Sequence, residues 1–440
     1  MDKFTKDSII TFFTEISIFL AGFLSTIILA RVLGPAGKGI YALIFLIPSI
    51  MISLGNFGIG GANVYFTASK KYKVKDITSN SFILSLFLGG LLILIFLVLF
   101  QFKFFKDYIF SNKIPVFYLW LAVFLIPFSL LFSFLLNIIR GTEDLKSYNK
   151  VRLFEGFLQL LLFFGFLVVL KKGIFGAVIS RILVVLCALF FTIFLIKKIT
   201  KISFTLHKDL LKDSLCYGGK IYIANTLSFL NYRLDMLLIS LFLLPSAVGI
   251  YSIAVSISEK LFLIPGAVST VLFPKISSIT DSRANKFTPR IVRHIFLILI
   301  LTAFALILFA KPLIKIFFGS AFLPAVKPLV ILLPGIIAFG IGGVLSADLA
   351  GRGKPQIALF SSLACLLVNI PLNIVLIPIM GISGAALAST VSYLVDTLVV
   401  GIAFLKISKR SLTDILLIKK EDFQDYSRVF LIFKEKFWKK

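Results

Sequence analysis

Histidine, cysteine and acidic side chains are scarce in this chain, and each scarcity closes off a class of function. Among 440 residues there are 2 His, 3 Cys and 20 Asp plus Glu, against 46 Lys plus Arg. Cys187, Cys216 and Cys365 form no CxxC pair, so neither a thiolate metal site nor a disulfide framework is expected. His207 and His294 have no metal-ligand or nucleophile pattern beside them, which leaves no metal site and no enzyme centre to assign. A GxxxxGKS or GxxxxGKT loop is missing too, so the chain is not expected to hydrolyse ATP itself. Charged residues make up only 15%, and no polar stretch is long enough for a soluble domain.

Apolar sequence takes the place of all these. Hydrophobic residues reach 59% and mean hydropathy is +1.04, outside the range of soluble globular chains. A helix crossing a hydrocarbon core of about 30 Å needs about 20 apolar residues, and such runs recur throughout. Twelve are expected, near 9–31, 40–66, 81–101, 114–139, 152–170, 174–196, 215–243, 247–273, 292–310, 326–347, 356–378 and 382–405. The first carries Glu15 and ends at Arg31 where a cleavage site would have small residues, so it reads as a retained helix.

Basic residues set the orientation, because cytoplasmic loops keep positive charge. With the N-terminus inside, 32 of the 46 Lys and Arg fall on the inner side, 10 on the outer side and 4 within spans. Both termini are therefore expected in the cytoplasm, in a multi-pass plasma-membrane protein. The net charge of +26 is spread over loop ends and the tail, which suits anionic membrane lipids and argues against nucleic acid.

A repeat organises the spans. Pro35 to Tyr41 reads PAGKGIY and Pro245 to Tyr251 reads PSAVGIY, both PxxxGIY, 210 residues apart. Gly173 to Ala177 is GIFGA and Gly381 to Ala385 is GISGA, 208 apart, each entering the sixth helix of its set. Two matches at nearly one offset predict a duplicated six-helix unit. Six being even, the copies share one topology about a pseudo-two-fold axis along the membrane normal. The expected division is 1–200 (first bundle), 201–214 (cytoplasmic linker), 215–405 (second bundle) and 406–440 (basic tail). PxxxGIY itself reads as a tight outer turn whose tyrosine anchors at the interface, without chemistry. The glycine-rich GIGGA at 58–62 lies within the second span and reads as close helix packing.

Polar groups inside spans are costly, so each is a functional candidate. In the seventh span Asn225, Ser228, Tyr232 and Asp235 fall within an arc of about 80° at 100° per residue. Arg233 stands on another flank, beside Tyr222, and Lys220 is nearer the inner end. Ser252, Ser256 and Glu259 share a face of the eighth span, where Pro265 should kink the helix beyond them. Glu15, Gly22 and Thr26 share one in the first, with Glu15 opposite Asn225 in the repeat; Ser389, Ser392 and Asp396 share one in the twelfth. Guanidinium and ammonium groups facing a cavity suit an anionic phosphate, which makes Arg233, Lys220 and Arg181, with Asn225 and Tyr232, the substrate-binding candidates. Glu15, Asp235, Glu259 and Asp396 are the ion-coupling candidates, although solvation of Glu15 at the inner end and a local Glu259 and Lys260 pair stay open. In the tail Phe423, Tyr426, Phe430, Phe433 and Phe437 recur at helical spacing among lysines, as in an amphipathic helix on the inner leaflet.

Ala30 to Leu43, ARVLGPAGKGIYAL, followed by Leu54 to Lys71, LGNFGIGGANVYFTASKK, resembles the polysaccharide biosynthesis or O-antigen flippase family of the multidrug/oligosaccharidyl-lipid/polysaccharide exporter superfamily. The resemblance implies two six-helix bundles of the MATE-like kind. It also implies a flippase that moves a lipid-linked oligosaccharide, through its diphosphate lipid, to the outer leaflet. Further implications are a cationic cavity, coupling to a proton or sodium gradient with no other cofactor, and company among other polysaccharide-assembly proteins. An ion-coupled drug or cation antiporter of the same fold remains the alternative, and would want an acidic cavity.

Overall fold

The computed structural model describes residues 3–103, 115–417, 419 and 422, with side chains from residue 10 onward except 12, 220, 221 and 224. Among them there is helix and no strand. This is the one arrangement besides a closed barrel that satisfies backbone hydrogen bonds in lipid. Close contacts divide the chain into two units, Met1–Ser252 with Ile314–Pro324, and Ile253–Leu313 with Ala325–Lys440.

Each predicted run overlaps helix, but among the described residues ten segments, not twelve, are long and apolar enough to cross a membrane. Two local features account for the difference. The first two runs merge into α1 (Lys3–Gly55), interrupted only at Gly34, whose φ of 63° and ψ of −176° end one arm so that Pro35 opens the next. The seventh run becomes α8 (Lys208–Phe242), long enough but diluted by Asn225, Asn231, Arg233 and Asp235.

In the first unit, α1 is followed by α2 (Ile59–Ala68), α3 (Val74–Gln101), α4 (Val116–Phe124), α5 (Ile126–Gly141), α6 (Leu145–Phe163), α7 (Gly173–Ile199) and α8. The second predicted span is broken at Asn56 to Gly58, so GIGGA begins at a helix start and not in a helix interior. Close packing does explain its first glycine: a Cβ on Gly58 would lie 2.3 Å from the Gly218 carbonyl oxygen of α8. Lipid offers no hydrophobic drive for helix association, and interhelical contact and hydrogen bonding take over. Leu88, Leu92, Phe96, Val123, Ile126 and Leu130 form one packed core, and Asn63 of α2 donates to Ser81 Oγ at 2.9 Å and the Phe134 carbonyl at 3.3 Å.

The linker before α8 is strapped to α3. Asn80 donates to the His207 carbonyl at 2.9 Å and accepts from its amide at 2.8 Å, while Ser79 Oγ bonds both the carbonyl and the amide of Thr205. Beside it Asp213 accepts from Lys71 Nζ at 2.5 Å and Tyr72 Oη at 2.8 Å. Those two bonds hold its carboxyl below the usual carboxylate range.

The two copies of PxxxGIY meet each other. A Cβ on Gly39 would lie 1.7 Å from the Pro245 carbonyl oxygen, and one on Gly249 would lie 2.0 Å from that of Pro35. Pro245 and Gly249 belong to α9 (Pro245–Ser258), so the first turns of two helices touch backbone to backbone, reciprocally. The second motif pair is also treated alike, since Gly173 and Gly381 both carry positive φ, 57° and 61°. Three residues on, a Cβ on Gly176 would stand 3.1 Å from the Phe166 carbonyl oxygen, and one on Gly384 would stand 2.2 Å from that of Leu376. Phe166 and Leu376 are themselves 210 residues apart.

The second unit holds α10 (Leu263–Ser277), most of α11 (Asp281–Phe317), α12 (Val326–Gly351), α13 (Gln356–Met380), α14 (Ile382–Ser408) and the short α15 (Leu412–Leu416). The helix break near Pro265 falls before it, as a 3-10 turn over Glu259–Phe262. Proline clashes with the carbonyl four residues back, which disturbs the preceding turn. Asp348 is fully buried, accepts Thr288 Oγ1 and takes Arg352 Nε at 2.6 Å, while Arg352 Nη1 reaches Asn285 at 2.7 Å. The start of the tail does not lie free on the membrane. Arg293 donates to both oxygens of the buried Asp422, at 2.6 and 2.8 Å, and to the Asp414 carbonyl. Phe423 to Phe437, expected on the leaflet, lie outside the described residues.

Candidate functional site

A charged stripe runs along α6 inside the first unit. Asn149, Arg152, Glu155 and Gln159 follow one another at three- and four-residue spacing, within an arc of about 120°. At 1.5 Å per residue, Arg152 stands about 10 Å and Glu155 about 15 Å along the helix from Leu145, both within the candidate span Leu145–Val169. Each has a partner on a neighbouring helix. Asn149 Nδ2 donates to Thr11 Oγ1 at 3.0 Å, and Arg152 Nη1 pairs with Glu15 of α1. Arg181 of α7 donates through Nη1 to Glu155 and to Gln159, both at 3.3 Å. Gly156 beside the stripe lets α1 approach, its Cβ position 3.8 Å from Ile18 Cγ2.

Two guanidinium groups therefore face two carboxylates within one helix group, and all four side chains are half-exposed. Partial exposure separates this site from the buried Asp348 and Arg352 cluster, whose charges are closed off. Tyr41 of α1 packs edge-on to Phe163 at 5.9 Å and stands within electrostatic reach of Arg181, extending the stripe toward Gly34.

The expected residues distribute as follows. Glu15 and Arg181 are in the stripe, each already paired. Asn225 on α8 is exposed, Tyr232 and Arg233 are half-buried, and Asp235 is buried at 3% exposure, accepting from Tyr251 Oη at 2.9 Å. Tyr251 is itself fully buried, so the tyrosine of the second PxxxGIY holds a carboxylate and does not anchor at the interface. The side chain of Lys220 lies outside the described residues. Glu259 opens the 3-10 turn. Asp396 is buried at 5% exposure against Gly342, a Cβ there lying 3.4 Å from Oδ2. Ser252, Ser389 and Ser392 turn their hydroxyls onto carbonyls of their own helices, so much of the polarity read on those faces is internal. Arg152, Glu155 and Gln159 were not singled out from the sequence, because the fifth span was placed from residue 152 and put Arg152 at its edge. Their shared spacing with Asn149 is the signal that reveals them once α6 is seen to start at Leu145.

These features define a multi-pass, all-helical membrane protein with the fold of the MOP exporters. The chain is similar to lipid II flippase MurJ in an inward closed conformation, with TM-score 0.72 and 20% identity over 99% of both chains. It is similar to an inward-facing multidrug resistance MATE family transporter of the MOP superfamily, with TM-score 0.73 and 18% identity over 90% of this chain and 96% of that one. At such identities the likeness speaks for fold alone. A probable low-salt glycan biosynthesis flippase of Haloferax volcanii is 28% identical over 211 residues, 45% of this chain. The match spans 44% of that relative's length. The chain belongs to the polysaccharide biosynthesis protein family, whose model matches residues 28–327.

Proposed function

We propose that the chain is a flippase that carries a lipid-linked oligosaccharide, by its polyprenyl diphosphate head, from the inner to the outer leaflet by alternating access. Family membership and the named flippase relative support the substrate class. The observation that carries the reading is the pair of guanidinium groups, Arg152 and Arg181, inside helix spans and partly open. Guanidinium binds phosphate oxygens bidentately, and in a low-dielectric surrounding such bonds are strong. The diphosphate takes these groups from Glu15 and Glu155, so substrate entry exchanges one anion for another and leaves no cation bare. The released carboxylates are then the groups open to a coupling proton or sodium ion, together with Asp235, Glu259 and Asp396. Arg233 and Lys220, with Asn225 and Tyr232 on α8, are further contacts for the head. Both termini lie in the cytoplasm and the protein resides in the plasma membrane in this reading, in line with the inner excess of Lys and Arg.

The test is flipping of a fluorescent lipid-linked oligosaccharide in proteoliposomes. Arg152→Ala and Arg181→Ala each lower the rate roughly 10- to 100-fold, the worth of one charged hydrogen bond, and Arg233→Ala lowers it less. Efflux of an organic cation dye with no flipping would overturn the reading in favour of the antiporter.

A further inference from the structure

A lysine at the end of a membrane span ordinarily lays its stem on apolar surface and keeps its ammonium in water. Lys38, in the first PxxxGIY, is packed in along nearly its whole length. It is only 8% exposed, and among the described residues no acceptor or carboxylate bonds it.

The repeat supplies a control for what that position requires. Lys38 of PAGKGIY corresponds to Val248 of PSAVGIY, and Val248 is 0% exposed. In the second copy an apolar side chain fills the site, so packing there asks for nothing charged. Lysine brings the cost of drawing most of a charged side chain out of water with no bonding partner among the described residues. It also places a cation in the first turn of the arm that begins after Gly34, at the positive end of a helix dipole. Both costs vanish when an anion sits beside it.

The direction of the side chain follows from helix geometry. At 100° per residue Lys38, Tyr41 and Phe45 share an arc of about 60°. On that face the rings of Tyr41 and Phe45 are 5.0 Å apart, and Tyr41 also packs on Phe163 and neighbours Arg181. Lys38 therefore stands one turn nearer Gly34 on the face that carries the α6 and α7 charges.

We infer that Lys38 is a binding site for a phosphoryl oxyanion, a station beyond Arg152 and Arg181 for the same diphosphate head. The identity of the anion as substrate rests on the flippase reading; the existence of the site does not.

The test uses the full chain in nanodiscs of zwitterionic lipid, with wild type, Lys38→Val and Lys38→Arg. Lys38→Val installs the residue of the twin motif and is expected to fold with an unchanged or raised unfolding temperature. The first arm titrates soluble inorganic diphosphate; the second incorporates polyprenyl diphosphate; the third incorporates phosphatidylglycerol as an ordinary anionic headgroup. Lys38→Val is expected to weaken binding of inorganic and polyprenyl diphosphate by roughly 10- to 100-fold, and Lys38→Arg by much less. A matching loss for phosphatidylglycerol assigns the site to headgroups generally, and its absence assigns it to diphosphate. Unchanged binding of all three probes by folded Lys38→Val overturns the site while leaving flipping by the wild type untouched. Loss of binding in a protein that does not flip lipid-linked oligosaccharide keeps the site and removes the flippase reading.

Discussion

Replacing Gly39 by alanine puts a methyl group where the structure has the backbone of another helix. The new Cβ would stand 1.7 Å from the Pro245 carbonyl oxygen and 3.0 Å from the Gly249 amide nitrogen, whereas ordinary contact begins at 3.4 Å. No rotamer relieves the overlap, since the obstacle is main chain, and α1 and α9 must part by roughly 1.5 to 2 Å, giving up dispersion contacts on both sides. Overpacking of this kind costs about 1–3 kcal/mol. Gly249→Ala drives the same separation from the other side, its Cβ falling 2.0 Å from the Pro35 carbonyl oxygen. Once one methyl has moved the helices apart, the second enters a gap already opened. The double variant should therefore lose less than the sum of the singles, with a coupling of about 0.5–2 kcal/mol. Thermal unfolding of the detergent-solubilised protein measures all three. Gly61→Ala in α2, where a Cβ meets nothing within 4 Å, is the control and should cost nothing. A Gly39→Ala protein as stable as wild type, or strictly additive singles, would refute the reciprocal contact.

Tyr251→Phe removes the hydroxyl that donates to Asp235 at 2.9 Å and leaves a buried carboxylate short of a partner, which should destabilise by about 1–3 kcal/mol in the same unfolding assay; an unchanged midpoint would mean the bond contributes nothing. The tail latch should respond to pH. Burial works to raise the Asp422 carboxyl, but the Arg293 guanidinium and the Lys419 amide outweigh it and hold it below its ordinary value. A depressed carboxylate stabilises above its unfolded pKa, about 4, and that contribution is lost as pH falls through the lower folded value. Hydrogen exchange of residues 411–417 should thus be protected at pH 7 and become unprotected on acidification below about pH 4, with Arg293→Ala unprotected at pH 7; equal protection in wild type and variant would remove the latch.

Membrane class was legible because it depends on composition, which no tertiary arrangement alters. Span positions were nearly as clear, since apolar runs of fixed length are what hydrocarbon requires. Only the count differs: Gly34 joins the first two runs through a kink, and the polar face of α8 leaves the seventh run less apolar than the other spans. PxxxGIY was found as a repeat and read as a turn, and what differs is its tyrosine, which in the second copy is buried against Asp235. Nothing along the chain says that Gly39 meets Pro245 or that Tyr251 turns inward to Asp235, because both depend on a partner 200 residues away or on the depth of a neighbouring helix.

The charged candidates divide in the same way. Residue type and burial within an apolar run identified Glu15, Arg181, Arg233 and Asp235 as unusual, and that much is a property of sequence, since charge in hydrocarbon is costly wherever it falls. Pairing is a property of the fold: Glu15 with Arg152, and Arg181 with Glu155, join helices that no spacing rule connects. Sequence alone determined that this chain lives in a membrane, is built from helices and repeats itself. Tertiary structure decided which of its charges are held, which are closed away and which, like Lys38, are buried with no partner among the described residues, because burial and partnership arise only when distant segments occupy the same few ångströms.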